Sequence, residues 1–301
     1  MSIIHIESIS EVNDLLGQPK VKHPLIGVAN FTKFEQEFEP GIKFTLGFYI
    51  LMYKNWCPNK IKYRQHIHDF QEGTLLCIAP HQVITVDEAF KSPKDTQGWA
   101  IFFHPDLIHG TQLGRNINNY SYFSYYSGEA LYLSDKEKQI LGECKLNIED
   151  ELCENIDKHS RTLLITALEL MLNYCSRFYD RQFITRHAIN NDVINEVEQL
   201  LQNYFRSQDL IRQGLPTVKY LSEKVNLSPG YLSDLLKKET GMNAQDRIHY
   251  YLVEEAKNLL LSSNQSVSEL AYSLGFEYPQ YFSRLFKSKT GLTPLEFRNN
   301  N

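Results

Sequence analysis

Gln280 stands three and four residues before Ser283 and Arg284, and Lys287 stands four and three after them, so on an α-helix they share one face. About fifty residues earlier, Tyr231, Ser233, Asp234 and Lys237 stand in a similar relation, with Ser228 at the head of the segment. All are hydrogen-bonding or cationic types. Arg and Gln can each hold a purine edge through two hydrogen bonds, and Asp can accept from cytosine N4. The chemistry on offer is the reading of base edges in duplex DNA, with these nine residues as the contact set.

The elements that must position them are written twice. "VKYLSEKVNLSPGYLSDLLKKETGMNAQDRI" is followed, some fifty residues on, by "VSELAYSLGFEYPQYFSRLFKSKTGLTPLEFR". In the first copy Thr217 can cap a helix with the apolar face Val218, Leu221 and Val225. In the second, Ser266 and Glu269 form a capping box, with Val267, Leu270 and Leu274 as the matching face. The turns are Asn226–Ser228 and Gly275–Glu277, with Leu227 and Phe276 as the buried turn residues. Second helices follow, in which Leu232, Leu235 and Leu236 match Phe282, Leu285 and Phe286. Pro229 suits the first turn of a helix, and Gly241 and Gly291 suit its end. A further helix starts after each, capped by Asn243 or Thr293. This is the helix-turn-helix pattern at 217–238 and again at 266–289. Apolar periodicity alone would equally describe a helical bundle; the polar exposed faces argue for DNA. Between the copies, Ala244–Ser263 holds a helix of about 18 residues, roughly 27 Å long. That length can set two recognition helices about one duplex turn, roughly 34 Å, apart.

The region from about Asp192 to Arg298 resembles the AraC/XylS transcription regulators. The resemblance is carried by Ala256, Leu259 and Leu260 in the connector and by "ELAYSLGF" and "YFSRLFKSKTGLTPLEFR". It implies an all-α, bilobed, seven-helix DNA-binding domain over 190–301, with both motifs on double-stranded promoter DNA. A small-molecule effector and, for an activator, RNA polymerase are further expected partners, and a homodimer is expected from the two amphipathic helices that follow the β region. The chain departs from the family at Leu252, where an Arg is usual, and at Gly230, Ser233 and Asp234, where many members carry larger or basic groups.

Bulk charge does not favour nucleic acid. The 301 residues carry a net −5. From Pro216 onward there are 10 Lys and Arg against 9 Asp and Glu, leaving 21 basic and 27 acidic residues before it. DNA binding must therefore rest on local placement. Five cysteines, an odd count with no C-x-x-C pair, argue against a disulfide framework or zinc knuckle. No basic leader and no run of ~18 apolar residues is present. The expectation is a cytoplasmic protein with no membrane partner.

Residues 44–126 read as short strands: Phe44–Lys54, Gly73–Pro80, Gln82–Val86, Gly98–Pro105 and Asn119–Tyr126. Helices are expected from Ser134, with a Ser134/Glu137 capping box, and over Asn155–Tyr179, where Ile156, Leu163, Leu164, Ala167, Leu168, Met171 and Phe178 form an apolar stripe. The pair suits core packing or a dimer seam equally. Arg181–Asn191 reads as a linker, and Asp192–Phe205 as a helix. The expected fold class is α+β multidomain: a cupin-like β-barrel or sandwich over 1–132, a helical dimerisation segment over 133–185, then the all-α domain. "FQEGTLLCIAPHQV" (Phe70–Val83) resembles part of the cupin-like sensor domains such regulators carry. His66 and His68 share a strand face near Glu72, but Glu72 is better read as the turn residue before Gly73. No metal, cofactor or catalytic residue is assigned. The alternative reading is a metal-dependent cupin enzyme fused to a DNA-binding tail.

Overall fold

The computed structural model describes residues 3–17, 19–31, 42–55, 73–85, 98–207 and 209–300. His66, His68 and Glu72 lie outside them. The chain divides into two compact units, Met1–Arg186 and His187–Asn301.

The first unit is β-rich. Its strands are β1 (Ile3–Ile6), β2 (Ile26–Asn30), β3 (Lys43–Leu46), β4 (Tyr49–Lys54), β5 (Thr74–Ile78), β6 (Ile84–Thr85), β7 (Gly98–Phe103) and β8 (Leu131–Tyr132), with α1 (Ile9–Leu15) after β1. They form an antiparallel five-stranded sheet, β2-β7-β4-β5-β8, and a three-stranded sheet, β1-β3-β6, in which β1 and β3 run parallel. Alternation along the strands sends Ile50 and Met52 of β4, and Ala100 and Phe102 of β7, into one core with Ile6, Phe44 and Leu46 of the smaller sheet. The intervening residues, Leu51, Ile101 and Phe103, are also buried, on the other face. The segment expected as one strand over Phe44–Lys54 is two, broken at Gly47 and Phe48.

Two short helices, α2 (Pro105–Ile108) and α3 (Gln112–Asn116), follow β7. The aromatic run Asn119–Tyr126 is not a strand. It forms short 3-10 turns at Ile117–Asn119 and Ser121–Ser124. Its alternation of aromatic and small residues mimics a strand, but tertiary packing decides the backbone. Tyr122 stacks on Tyr179 at 5.3 Å and donates from its hydroxyl to the Leu172 carbonyl at 2.9 Å. Phe123 packs on Tyr49, and Tyr49 stacks on Phe103.

Two long helices complete the unit: α4 (Asp135–Cys153), opened by the expected Ser134/Glu137 capping box, and α5 (Ser160–Thr185). On α5, Leu164, Leu168, Met171, Leu172, Cys175 and Phe178 are buried. Three members of the expected stripe are not, Ala167 being half-buried. Leu163 is 53% exposed, and Ile156 lies before the helix at 64%. Helix extends through most of the expected linker. α5 runs to Thr185, and α6 (His187–Arg206) begins after the single intervening residue Arg186. The last turns of α5 are tied down by side chains. Gln182 accepts from the Tyr132 amide at 2.8 Å and donates to the Ala130 carbonyl at 3.2 Å, and Arg181 bonds Glu137.

The second unit is entirely helical among its described residues: α6, α7 (Asp209–Gln213), α8 (Val218–Lys224), α9 (Pro229–Thr240), α10 (Ala244–Ser262), α11 (Val267–Ser273), α12 (Pro279–Thr290) and α13 (Pro294–Asn300). α10 is its spine, burying Ala244, Ile248, Leu252, Val253, Ala256 and Leu260. Leu252 thus fills core where the resembled family usually has Arg. Glu198 of α6 grips α10 by pairing with Arg247 and accepting from the Tyr251 hydroxyl. Among the described residues, no helix is long and apolar enough to cross a membrane.

Candidate nucleic-acid interface

Each motif starts with a capped helix. Thr217 accepts from the Tyr220 amide at 3.0 Å, while Ser266 and Glu269 satisfy each other's amides at 3.2 and 2.7 Å. Each first helix then stops at a residue in the left-handed region: Asn226 (φ 56°) after α8, Gly275 (φ 80°) after α11. These are the residue types that enter that region at least cost. The next amide makes the same bond in both copies, Leu227 to the Ser222 carbonyl at 2.9 Å and Phe276 to the Ala271 carbonyl at 3.0 Å.

The second helices, α9 and α12, also correspond. Each opens on a proline and ends at a left-handed glycine, Gly241 (φ 78°) and Gly291 (φ 81°), whose amides reach the Lys237 and Lys287 carbonyls. The threonine before each glycine bonds back in the same way, Thr240 to Leu236 and Thr290 to Phe286. Asn243 caps α10, and Thr293 with Glu296 forms a box ahead of α13.

The two exposed faces are less alike. On α12, Gln280, Arg284 and Lys287 are exposed and Ser283 is half-buried. On α9, Lys237 is exposed, and Ser233 and Asp234 are half-buried. Two residues expected on the first face are not on it. Tyr231 is 1% exposed, so its ring is inside the domain and not on the outward face. Ser228 is fully buried and spends its hydroxyl capping α9, accepting from the Tyr231 amide at 3.2 Å. A serine that caps a helix beneath a turn has the spacing of a contact residue but no access to a groove.

Sequence reasoning missed two exposed aromatics on the second motif, Tyr278 and Tyr281. Their rings meet edge to face at 5.9 Å, and the Arg284 guanidinium lies 5.8 Å from the Tyr281 ring centre. The signal available was the aromatic at the same position as Tyr231. Lys289 is committed elsewhere: it pairs with Asp246 of α10 at 2.8 Å, and that hydrogen bond, with the lysine's charge, holds the Asp246 carboxyl below its usual range. Among the described residues no group of three His, Cys, Asp or Glu is placed to hold a metal.

A family model described as a helix-turn-helix domain matches residues 221–300. Over 83 residues the chain is 36% identical to an uncharacterized HTH-type transcriptional regulator, YobQ of Bacillus subtilis (strain 168), covering 28% of this chain and 34% of that protein. Over 74 residues it is 43% identical to the uncharacterized transcriptional regulatory protein YesN of the same organism, covering 24% of this chain and 20% of the other. Among solved structures, the C-terminal domain of the two-component response regulator yesN from Fusobacterium nucleatum is similar at 36% identity. That likeness covers 34% of this chain and 98% of the other, with a TM-score of 0.29. The chain thus spans about a third or less of the length of these curated relatives.

Proposed function

We propose that this chain regulates transcription by sequence-specific binding to promoter DNA, from the premise that its C-terminal domain is a helix-turn-helix DNA-binding domain of the AraC type. The observation that carries the reading is α12. Gln280, Arg284 and Lys287 are exposed along one face of a helix whose other face, Phe282 and Phe286, is buried. That division suits a helix lying in a major groove. α10, with 19 residues, is about 28 Å long and rigidly gripped, so it can hold two recognition helices on successive groove segments.

The first unit dimerises the protein, senses a small effector, or both. A cupin-like sandwich is the reading its two facing sheets support. A cleft of about 460 Å³, walled by Tyr49, Tyr120 and Phe123 with His81, Gln82 and Asn118, is the candidate effector site. A dimer would form through α5, where Leu163 and Leu170 are exposed two turns apart. The protein acts in the cytoplasm, with RNA polymerase as the further partner of an activator.

Selection of bound sequences from a random duplex pool, using the full chain, tests the reading. Enrichment of one motif spanning two adjacent major-groove segments is expected. Recovery of unenriched DNA would overturn it.

A further inference from the structure

The repeat provides an internal control on α12. α9 and α12 are each 12 residues long, open on a proline and close on a left-handed glycine. Position by position, Tyr231 corresponds to Tyr281 and Asp234 to Arg284. The same residue type therefore stands at the same place in two copies of one motif, with opposite fates. Tyr231 is 1% exposed, and Tyr281 is 54% exposed.

The cores of the two motifs differ as well. In the first motif Leu227, Leu232, Leu235 and Leu236 are buried, and Tyr231 is buried as well. The second is packed by rings: Phe276 meets Phe282 at 5.5 Å, Phe282 meets Phe286 at 5.8 Å, and Phe286 meets Phe297 at 5.6 Å. Tyr281 is turned outward, and it is not idle there. One contact is the ring of Tyr278, which precedes the helix; the other is the Arg284 guanidinium. The three residues follow at three-residue spacing, so they form one row on the outward face.

Resting on the reading of α12 as a recognition helix, we propose that Tyr281 is a positioning residue: its ring holds the Arg284 guanidinium so that the fork meets a guanine edge. An arginine on a solvated helix has many rotamers to lose on binding. One held against an aromatic face has fewer, and its planar fork matches guanine O6 and N7 through two hydrogen bonds. Tyr281 supplies an aromatic face, so its hydroxyl is dispensable and its π system is not.

The test uses the full-length protein on its selected duplex, with every single-base change measured. Arg284→Ala should lose about tenfold of discrimination at one base pair. Tyr281→Phe should keep that discrimination. Tyr281→Leu, which preserves apolar bulk without a π face, and Tyr281→Ala should both lose most of it at the same base pair. Arg284→Ala/Tyr281→Ala should lose no more than Arg284→Ala alone. Unchanged discrimination in Tyr281→Leu overturns the proposal. So does an equal weakening on all sequences, which would mark a phosphate contact, or a loss at a different base pair, which would mark Tyr281 itself as the reader. A wild-type protein that selects no sequence would sink the regulator reading as well, an outcome distinct from these. Matched melting curves exclude misfolding as the cause.

Discussion

At the residue scale, charge that is spatially available differs from charge counted along the chain. The segment Glu277–Gly291 carries Arg284, Lys287 and Lys289, but Lys289 is bound to Asp246. Lys287→Ala should flatten the dependence of binding on salt by about one unit and weaken all sequences alike, because each phosphate neutralised releases counterions. Lys289→Ala should flatten it by clearly less. Binding to selected and random DNA across a salt series checks both; equal slopes for the two variants would show that the Asp246 pair opens on DNA. A second residue bears on stability. Burial of Lys54, at the end of β4, pushes its ammonium down to about 8. In the unfolded chain it titrates near 10.5, so between about pH 8 and 10.5 the unfolded state binds more protons and stability rises with pH. Below pH 8 desolvation of this half-buried charge costs less than the ~3 kcal/mol that the full shift would represent. Lys54→Met should stabilise the protein at pH 7 and flatten that rise, read from denaturant midpoints at pH 7, 8.5 and 10. Neither Lys54 nor the Lys289 pair was legible in the sequence, because both depend on what the fold brings alongside. The caps were legible: Thr217, Asn243, Ser266 and Thr293 act on residues three positions away. Ser228 was misread for the same reason, since a cap and a contact residue look alike until burial is known.

At the scale of elements, what local chemistry dictates was readable, and what volume dictates was not. The two helix-turn-helix copies stand where the Gly, Pro, Ser and Thr punctuation placed them. The aromatic run after α3 was misjudged because its alternation fits a strand, while its rings answer to α5. Opposite burial of Tyr231 and Tyr281 was equally hidden, since the same residue type at the same place in the repeat carries no sign of which copy buries it. The turn glycines allow a quantitative comparison. Gly241 and Gly275 both have φ near +80°, but a Cβ on Gly241 would meet nothing within 4 Å. On Gly275 it would lie 2.7 Å from the Leu210 carbonyl oxygen and 2.8 Å from Gly214 Cα, both backbone atoms. Gly241→Ala should therefore cost only the left-handed backbone, roughly 1–2 kcal/mol. Gly275→Ala should cost at least ~1 kcal/mol more, because α11 and the segment Leu210–Gly214 must separate. Denaturant unfolding of the two variants measures the difference; equal losses would show that this contact yields freely.

For the whole molecule, the remaining question is why α5 is more apolar than one core requires. Its inward side is fully used by Leu164, Leu168, Met171, Leu172, Cys175 and Phe178. Leu163 and Leu170, 53% and 47% exposed, are seven residues apart and so lie along one stripe on the side left over. Two exposed leucines are unremarkable singly; in register on a long helix they suit a seam with a second copy. Pairing also answers an electrostatic weakness. The chain is net acidic, and Lys289 is occupied by Asp246, so one copy offers few cations to DNA. Two linked copies on adjacent sites bind with an effective concentration that raises overall affinity without further contacts. Full-length protein should therefore sediment as a dimer at micromolar concentration, and Leu163→Glu/Leu170→Glu should sediment as a monomer with an unchanged far-ultraviolet circular dichroism spectrum. On a duplex carrying one selected site the variant should bind like the wild type. On a duplex carrying two adjacent sites it should bind at least tenfold more weakly. A wild-type monomer would remove the dimer altogether, and a variant that stays dimeric would place the seam on another surface of the chain.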